Sequence, residues 1–306
     1  MTCSLVRCTG HGAPDTLLRM RIDLHAHSSE SDGTDSPARL VAAAAEAGLD
    51  VVAITDHDTT AGWEAAAAAR PDSLTLVRGM EMSCAGRGED GFDVPVHLLA
   101  YLFDPAAPAF AAERERLRAE RVDRIRAMAT RMRSAGLAID PDRILAEAGP
   151  SVGRPHLARA LIDAGVVDSV ADAFRGPLST SSEFYVDKID TPLADAVAMV
   201  ADAGGVAVVA HPRARSRGRL MDLAQIAELV PDGLRGIEVH HPDHSAADVA
   251  VLDALADELD LVVTGSSDYH GSNKTIPLGA FTTAPEQYAR LVDAATGTDV
   301  LGPVLG

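Results

Sequence analysis

The sequence predicts an α/β protein, a (β/α)7 barrel interrupted by an inserted all-α lobe. Short β-branched runs alternate with Ala-rich helical segments in the first and last parts of the 306-residue chain. That alternation is typical of parallel βα units. It stops between residues 105 and 191, where helical patterns continue without a convincing strand. Short motifs containing His and Asp follow the strands, and in such barrels functional residues gather at the C-terminal face.

Seven strands are predicted from apolar, β-branched runs. They cover residues 21–25, 49–55, 74–78, 94–102, 206–210, 236–240 and 261–264. After the first strand, Ser36 and Pro37 have the form of an N-cap and an N1 proline, and Gly48 ends the helix that they begin. An Ala-rich helix over 59–69 follows the second strand. We expect all seven strands to run parallel, one βα unit short of the usual eight.

The segment 105–191 is predicted to be a helical lobe that caps a barrel formed by 20–104 and 192–306. Its first helix, over 110–135, carries eight arginines among acidic residues. This mixture favours a solvated helix with i,i+4 ion pairs over an RNA-binding surface, because few aromatic residues accompany it. Residues 1–19 lack an apolar signal core and are expected to be a disordered extension.

Composition and charge limit the class of partner. A formal net charge of −18 argues against broad binding of duplex nucleic acid, which depends on many cationic contacts to phosphates. The chain contains no apolar run near the roughly 20 residues that span a membrane, so no membrane partner is expected. Three scattered cysteines fit a reducing cytoplasm. The oligomeric state is left open.

Nine side chains near strand ends have the chemistry of metal ligands. They are His25, His27, Asp32, His57, Glu81, His97, His211, Asp268 and His270. A lone histidine has an ordinary explanation, but His25 and His27 share one face of a strand, and several strands end in the same way. Nine N and O donors suit two or three ions of Mn²⁺, Fe²⁺ or Zn²⁺. Asp56 and Asp58, which flank His57, are expected to orient imidazoles.

Such a site points to catalysis, because His/carboxylate sites keep positions open for water and substrate more often than Cys-rich structural sites do. A multinuclear site suits hydrolysis of a phosphate ester, although amide or lactone hydrolysis could use the same donors. A zinc amidohydrolase would be expected to carry a bridging lysine at a strand end, and the sequence has none there. The donors alone therefore do not identify the bond that is cleaved.

The motifs, in their order along residues 20–280, resemble the PHP (polymerase and histidinol phosphatase) family of metal-dependent phosphoesterases. The motifs are His25-x-His27, Asp32, Thr55-Asp56-His57, Glu81, His97, Ala210-His211-Pro212 and Ser267-Asp268-x-His270. The resemblance implies a distorted (β/α)7 barrel holding three divalent ions. It implies that Glu81 bridges two ions, with Glu81, Asp268 and His270 as the catalytic residues.

The resemblance also implies how the remaining donors divide among the ions. It gives the first ion His25, His27 and Asp268, the second His97 and His211, and the third Asp32, His57 and His270. The helical insertion with Gly153-Arg154-Pro155-His156 resembles one branch of the family, which contains nucleoside 3′,5′-bisphosphate phosphatases and 5′→3′ exonucleases of short RNA. We therefore expect a nucleoside 3′,5′-bisphosphate phosphatase. The alternatives are such an exoribonuclease, a histidinol-phosphate or sugar-phosphate phosphatase, and a non-catalytic regulatory module, which the complete set of ligands disfavours.

Candidate substrate-binding residues are less distinctive in sequence. They are Arg154, His156, Lys274, Arg213 and His244. Arg154 precedes a Pro-initiated helix and could offer a bidentate guanidinium to a second phosphate, although it could also be an ordinary surface arginine. His156 could equally satisfy the helix terminus, and Lys274 could meet a phosphate as a point charge.

Overall fold

The computed structural model describes residues 20–215 and 218–303, so the extension predicted at 1–19 lies outside the described residues. The strands are β1 (Ile22–Asp23), β2 (Val51–Ile54), β3 (Thr75–Arg87), β4 (Asp93–Tyr101), β5 (Thr191–Pro192), β6 (Val206–Ala210), β7 (Leu234–His240) and β8 (Val262–Gly265). The helices are α1 (Pro37–Glu46), α2 (Trp63–Ala69), α3 (Pro108–Ser134), α4 (Pro141–Glu147), α5 (Arg154–Asp163), α6 (Val170–Arg175), α7 (Leu193–Asp202), α8 (Ala224–Leu229), α9 (Ala246–Glu258) and α10 (Pro285–Ala294).

Seven strands form a nearly closed barrel in the order β1-β2-β3-β4-β6-β7-β8, and the two-residue β5 pairs with β3. The predicted α/β barrel of seven strands is confirmed. The first and last parts of the sheet approach each other where the amide N–H of His27 donates to the carbonyl oxygen of Tyr269, with an N···O distance of 2.8 Å. Strands β2 and β6 are buried along their whole length, which explains their uninterrupted apolar sequences.

The prediction that all seven strands run parallel is wrong at β4, which is antiparallel to both β3 and β6. The cause is the short connection between Arg87 and Asp93, because a parallel crossover needs a dozen or more residues. Gly91, at φ 81°, lies in this tight connection. Strand β3 also extends well beyond the predicted 74–78, because β4 pairs with it from Gly79 to Arg87.

Helices α3–α6 lie within the predicted lobe and have an apolar cluster of their own, which includes Ile125, Met132, Leu157 and Leu161. The first turns of α3 are different, since Phe110 and Leu117 pack into the main barrel core. Helix α3 therefore belongs to both cores and fixes the lobe to the barrel. In the part of the chain that the structure describes, no helix is both long and apolar enough to cross a membrane.

Candidate metal centre at the barrel mouth

The nine predicted donors meet at one end of the barrel. The strands place them there because His25 and His27 follow β1, His57 follows β2, and Asp268 lies three residues beyond β8. Eight of the nine residues are buried, and His97 is partly buried. Eight titratable side chains kept from water in one place require either mutual pairing or a bound cation.

Glu81 lies at the centre of this cluster. Its carboxylate oxygens lie between 2.6 and 3.3 Å from ring nitrogens of five histidines, which are His25, His27, His57, His97 and His211. One oxygen faces the first three and the other faces the last two. Glu81 is therefore placed to contact two ions at once.

Three overlapping groups of donor atoms, each within 4.8 Å of one another, could each hold an ion. The groups are His25/His27/Glu81/Asp268, His57/Glu81/His97 and His27/Asp32/His57/His270. They resemble the expected division, with three differences. His27 falls in the group of Asp32 as well as in that of His25, and His57 falls in the group of His97 as well as in that of Asp32. His211 belongs to none of the three groups, but its ring nitrogen lies 2.9 Å from the carboxylate of Glu81.

The chemistry of the donors fits divalent ions. No cysteine belongs to the three groups among the described residues, and the nitrogen and carboxylate set suits borderline to hard cations. The buried Nδ1 of His57 has no hydrogen-bond partner among the described residues, although Glu81 lies 3.3 Å away. A buried ring nitrogen without a hydrogen bond is costly, and coordination of an ion would satisfy it.

The charge states also favour cations. Burial alone would raise the pKa of Glu81, but the imidazoles of His97, His57 and His25 hold that pKa well below its usual value. For His27, burial acts to lower the pKa, yet its contacts with Asp268 and Glu81 raise it to about 9. Glu81 is therefore ionised at neutral pH, and a bound ion would displace the proton that is held on His27.

Sequence reasoning missed Glu238, a buried carboxylate on β7. Its Oε1 lies 3.0 Å from Nδ1 of His25, and its Oε2 accepts the backbone N–H of His211 at 2.9 Å. It also accepts the hydroxyl of Ser266. A carboxylate on the outer nitrogen of a metal-binding imidazole fixes the tautomer and orientation of the ring. The available signal was an acidic residue between two β-branched apolar residues, Ile237 and Val239, in β7.

Asp56 and Asp58, which were expected to orient imidazoles, have hydrogen-bond partners other than imidazoles among the described residues. Asp56 accepts the N–H and hydroxyl of Ser28 at 2.8 and 2.6 Å, and so shapes the loop that leads to Asp32. Asp58 accepts the N–H of Ser83 at 2.7 Å and pairs with Arg121 at 2.5 Å. Both carboxylates therefore bond to the backbone and side chains of neighbouring segments.

Three residues that form the mouth have left-handed backbone conformations without being glycine. The φ angles are 54° for Asp58, 29° for His211 and 50° for Asp268. Such conformations cost free energy in non-glycine residues and concentrate at functional sites. Here they turn the chain sharply where β2, β6 and β8 end.

Of the candidate substrate residues, Lys274 lies closest to the donors, with its Nζ 2.5 Å from Oδ2 of Asp268. Nδ1 of His156 accepts the N–H of Gly153 at 3.0 Å, so this ring does cap α5. Arg154 donates to the carbonyl of Leu178 at 3.0 Å and lies against aromatic rings of the lobe. Its contacts are therefore within the lobe.

Arg213 and His244 make other contacts. The guanidinium of Arg213 is 2.5 Å from a carboxylate oxygen of Glu89. His244 donates from Nδ1 to the carbonyl of Val239 at 2.8 Å, and its Nε2 accepts the N–H of Arg213 at 3.3 Å. Both ring nitrogens of His244 are thus committed to the backbone, so the structure does not support its expected substrate contact.

The arginines of α3 pair differently from the expected i,i+4 pattern. Arg116 and Arg118 pair with Glu113 and Glu115 at i,i+3 spacing. Arg121, in contrast, pairs with the buried Asp58 at the mouth of the barrel. The exposed side of α3 is therefore solvated and ion-paired, as expected, whereas the side that faces the mouth carries a buried ion pair.

A barrel that gathers buried imidazoles and carboxylates at its mouth defines a class of metal-dependent hydrolases. Residues 23–137 match the PHP domain family. Together with the relatives described next, which are 35–36% identical over most of the chain, this match shows that the chain belongs to that family and is a hydrolase of phosphate esters, which confirms the expected family and reaction type.

Several curated relatives match over most of the chain, and two of them are 35% or more identical to it. The 3′,5′-nucleoside bisphosphate phosphatase of Chromobacterium violaceum is 36% identical over 253 residues, covering 81% of this chain and 87% of the relative. The phosphoribosyl 1,2-cyclic phosphate 1,2-diphosphodiesterase of Eggerthella lenta is 35% identical over 265 residues, covering 83% and 96%. Among solved structures, a Bifidobacterium adolescentis protein assigned as a metal-dependent phosphoesterase has a TM-score of 0.85, 36% identity and coverage of 90% and 97%.

Proposed function

We propose that the protein removes a phosphate from nucleoside 3′,5′-bisphosphates, using three divalent ions of Mn²⁺, Fe²⁺ or Zn²⁺ held by the nine donors. The placement of Glu81, whose two oxygens face separate sets of imidazoles, supports the binding of the ions. The 36% identity with the 3′,5′-nucleoside bisphosphate phosphatase of Chromobacterium violaceum supports the choice of substrate. Divalent ions there would neutralise charge on the phosphoryl group and lower the pKa of an attacking water.

The chain's own residues would hold the donors in place during the reaction. His270 donates from Nδ1 to the backbone carbonyl of Asp268 at 2.8 Å, which leaves its Nε2 facing Asp32 at 3.3 Å. Lys274 presents its ammonium group beside Asp268 and would meet a substrate phosphate as a point charge. We therefore assign reaction chemistry to Glu81, Asp268 and His270, and phosphate contact to Lys274.

The helical lobe would supply recognition of the second phosphate. It reaches the mouth where the backbone N–H of Ser151 donates to the carbonyl of Glu30 at 3.1 Å. Within the described residues no carboxylate lies within ion-pair distance of Arg154, so its charge is available to an anion. A cation without an acidic partner is a reasonable recognition group for the remaining phosphate of a bisphosphate.

Cyclic diesters and the 5′ ends of short RNA are the rival substrates, because the same ions could hold a diester. The relative that hydrolyses a phosphoribosyl cyclic phosphate favours keeping diesters in the test. Histidinol phosphate would need no second basic group. We also propose a cytoplasmic location, on the basis of the few scattered cysteines.

One panel of substrates tests the proposal. Metal-loaded protein would be assayed on adenosine 3′,5′-bisphosphate, AMP, histidinol phosphate, a phosphoribosyl 1,2-cyclic phosphate and a 5′-phosphorylated RNA trimer. We expect the highest kcat/KM on the bisphosphate, and turnover of histidinol phosphate alone would overturn the nucleotide assignment. Asp268→Asn is the matched inactive control. Arg154→Ala should raise KM for the bisphosphate more than for AMP, and an equal effect on both would remove its proposed role.

A further inference from the structure

Arg121 extends from the middle of α3 to the mouth of the barrel, where it meets two buried side chains. Its Nε lies 2.5 Å from Oδ2 of Asp58, and its Nη2 donates to Oγ of Ser83 at 2.7 Å. The Arg121 side chain is 14% exposed and that of Asp58 is fully buried. This pair is therefore shielded from water, unlike the surface ion pairs elsewhere on α3.

The two partners of Arg121 belong to the segments that carry one group of donors. Asp58 follows His57 directly, and its backbone N–H donates to the carbonyl of Glu81 at 3.1 Å. Ser83 lies two residues beyond Glu81 and pairs in register with His97 on β4. Oδ1 of Asp58 also accepts the N–H of Ser83 at 2.7 Å. The guanidinium thus ties together the segments that bear His57, Glu81 and His97.

Arg121 also contacts the rest of the lobe. A Cβ placed on Gly153, at the start of α5, would lie 3.5 Å from Nη1 of Arg121, so the two segments pack closely. Lys188 and Asp190, paired at 3.0 Å, line a small cavity with Arg121 where the chain returns from the lobe to the barrel. Arg121 therefore stands between the lobe and the His57/Glu81/His97 group.

We propose that Arg121 is a positioning residue that couples the seating of the helical lobe to the geometry of the His57/Glu81/His97 donor group. The planar fork of an arginine can hold acceptors on two segments simultaneously, here the loop after β2 and strand β3, whereas a lysine ammonium cannot reproduce that geometry. The consequence is that occupancy of this group by an ion depends on a residue of the lobe. This proposal rests on the proposed function only in so far as that group binds an ion.

The test compares four proteins: wild type, Arg121→Ala, Arg121→Lys and Arg126→Ala. Arg126 is the matched control, because it lies on the same helix and pairs with the exposed Asp142 at the surface. Each protein would be loaded with Mn²⁺, freed of excess ion by gel filtration, and analysed for bound metal by mass spectrometry. Circular dichroism and thermal unfolding would show that each protein is folded.

We expect folded Arg121→Ala to retain less Mn²⁺ than wild type, and kcat on p-nitrophenyl phosphate to fall about 10–100-fold with little change in KM. Arg126→Ala should match wild type in both respects. Wild-type metal content and kcat in folded Arg121→Ala would overturn the proposal.

If Arg121→Ala does not fold, because Asp58 is then buried without its counter-ion, Arg121→Lys provides the test. Lysine keeps the positive charge but not the planar guanidinium, so partial loss of bound metal and of kcat is expected. Full wild-type values of both would overturn the proposal. Metal content is measured without any nucleotide, so failure of the bisphosphate assignment in the substrate panel would leave this test intact.

Discussion

Substitution of Glu238 by Gln tests how the barrel positions two of the proposed metal ligands, His25 and His211. The change keeps the shape of the side chain and removes its charge. In the structure the carboxylate is in contact with Nδ1 of His25 at 3.0 Å and accepts the backbone N–H of His211 at 2.9 Å. An amide can accept through one of its two terminal atoms only, so one of these contacts must be lost or reversed.

The size of the effect follows from those contacts. A hydrogen bond to a charged group contributes about 1.5–3 kcal/mol. Since about 1.4 kcal/mol corresponds to a factor of ten, loss of one contact should weaken metal binding about 10–150-fold. This range agrees with the roughly 10–100-fold losses that follow removal of groups hydrogen-bonded to metal ligands.

The measurement is calorimetric titration of Mn²⁺ into metal-free Glu238→Gln, with kcat/KM on p-nitrophenyl phosphate as a second readout. Glu228→Gln is the control, because that carboxylate is exposed and pairs with Arg87 at the surface. Metal affinity within twofold of wild type in folded Glu238→Gln would refute the reasoning. It would show that His25 binds metal equally well without a carboxylate in contact with its Nδ1.

Three further predictions follow. Lys274→Ala should raise KM for phosphate esters about tenfold or more without lowering metal content. Lys274→Arg should have a KM closer to that of wild type, and steady-state kinetics with metal analysis would check both variants. Gly149→Ala would place a Cβ 2.4 Å from the carbonyl oxygen of Ser29, so thermal unfolding should show a loss of about 1–3 kcal/mol. Burial lowers the pKa of His244, and it outweighs the hydrogen bond to the Val239 carbonyl, which acts to raise that pKa. A depressed pKa means that stability is lost as pH falls through the unfolded value near 6.5. Denaturant unfolding of His244→Asn between pH 5 and 8 should therefore show a weaker dependence of stability on pH than wild type.

The fold class, and the meeting of nine His, Asp and Glu side chains at one end of the barrel, could be predicted from sequence because their signals are local. A β-branched run followed by His or Asp marks a strand end within a few residues, and strand ends of a barrel meet at one face. His25 and His27 needed only the period of two along a strand. The order of the motifs then carried the resemblance to the family.

The missed features depend on contacts between distant segments. The direction of β4 is set by the brevity of its connection to β3, which periodicity does not report. Glu238 reads as an isolated acid in a strand, and only the fold places it behind His25, 213 positions away. Arg121 is one of several arginines on α3, and only the docking of that helix distinguishes it from Arg118 or Arg126.

The left-handed conformations of Asp58, His211 and Asp268 have a consequence for protein engineering. Glycine adopts such backbone angles without a steric penalty, so glycine at any of the three would relieve local strain. A selection for heat resistance alone would therefore tend to enrich glycine where the proposed chemistry needs an imidazole or a carboxylate. Directed evolution of this barrel should score turnover and thermal stability together, because a variant can gain thermal stability by losing turnover.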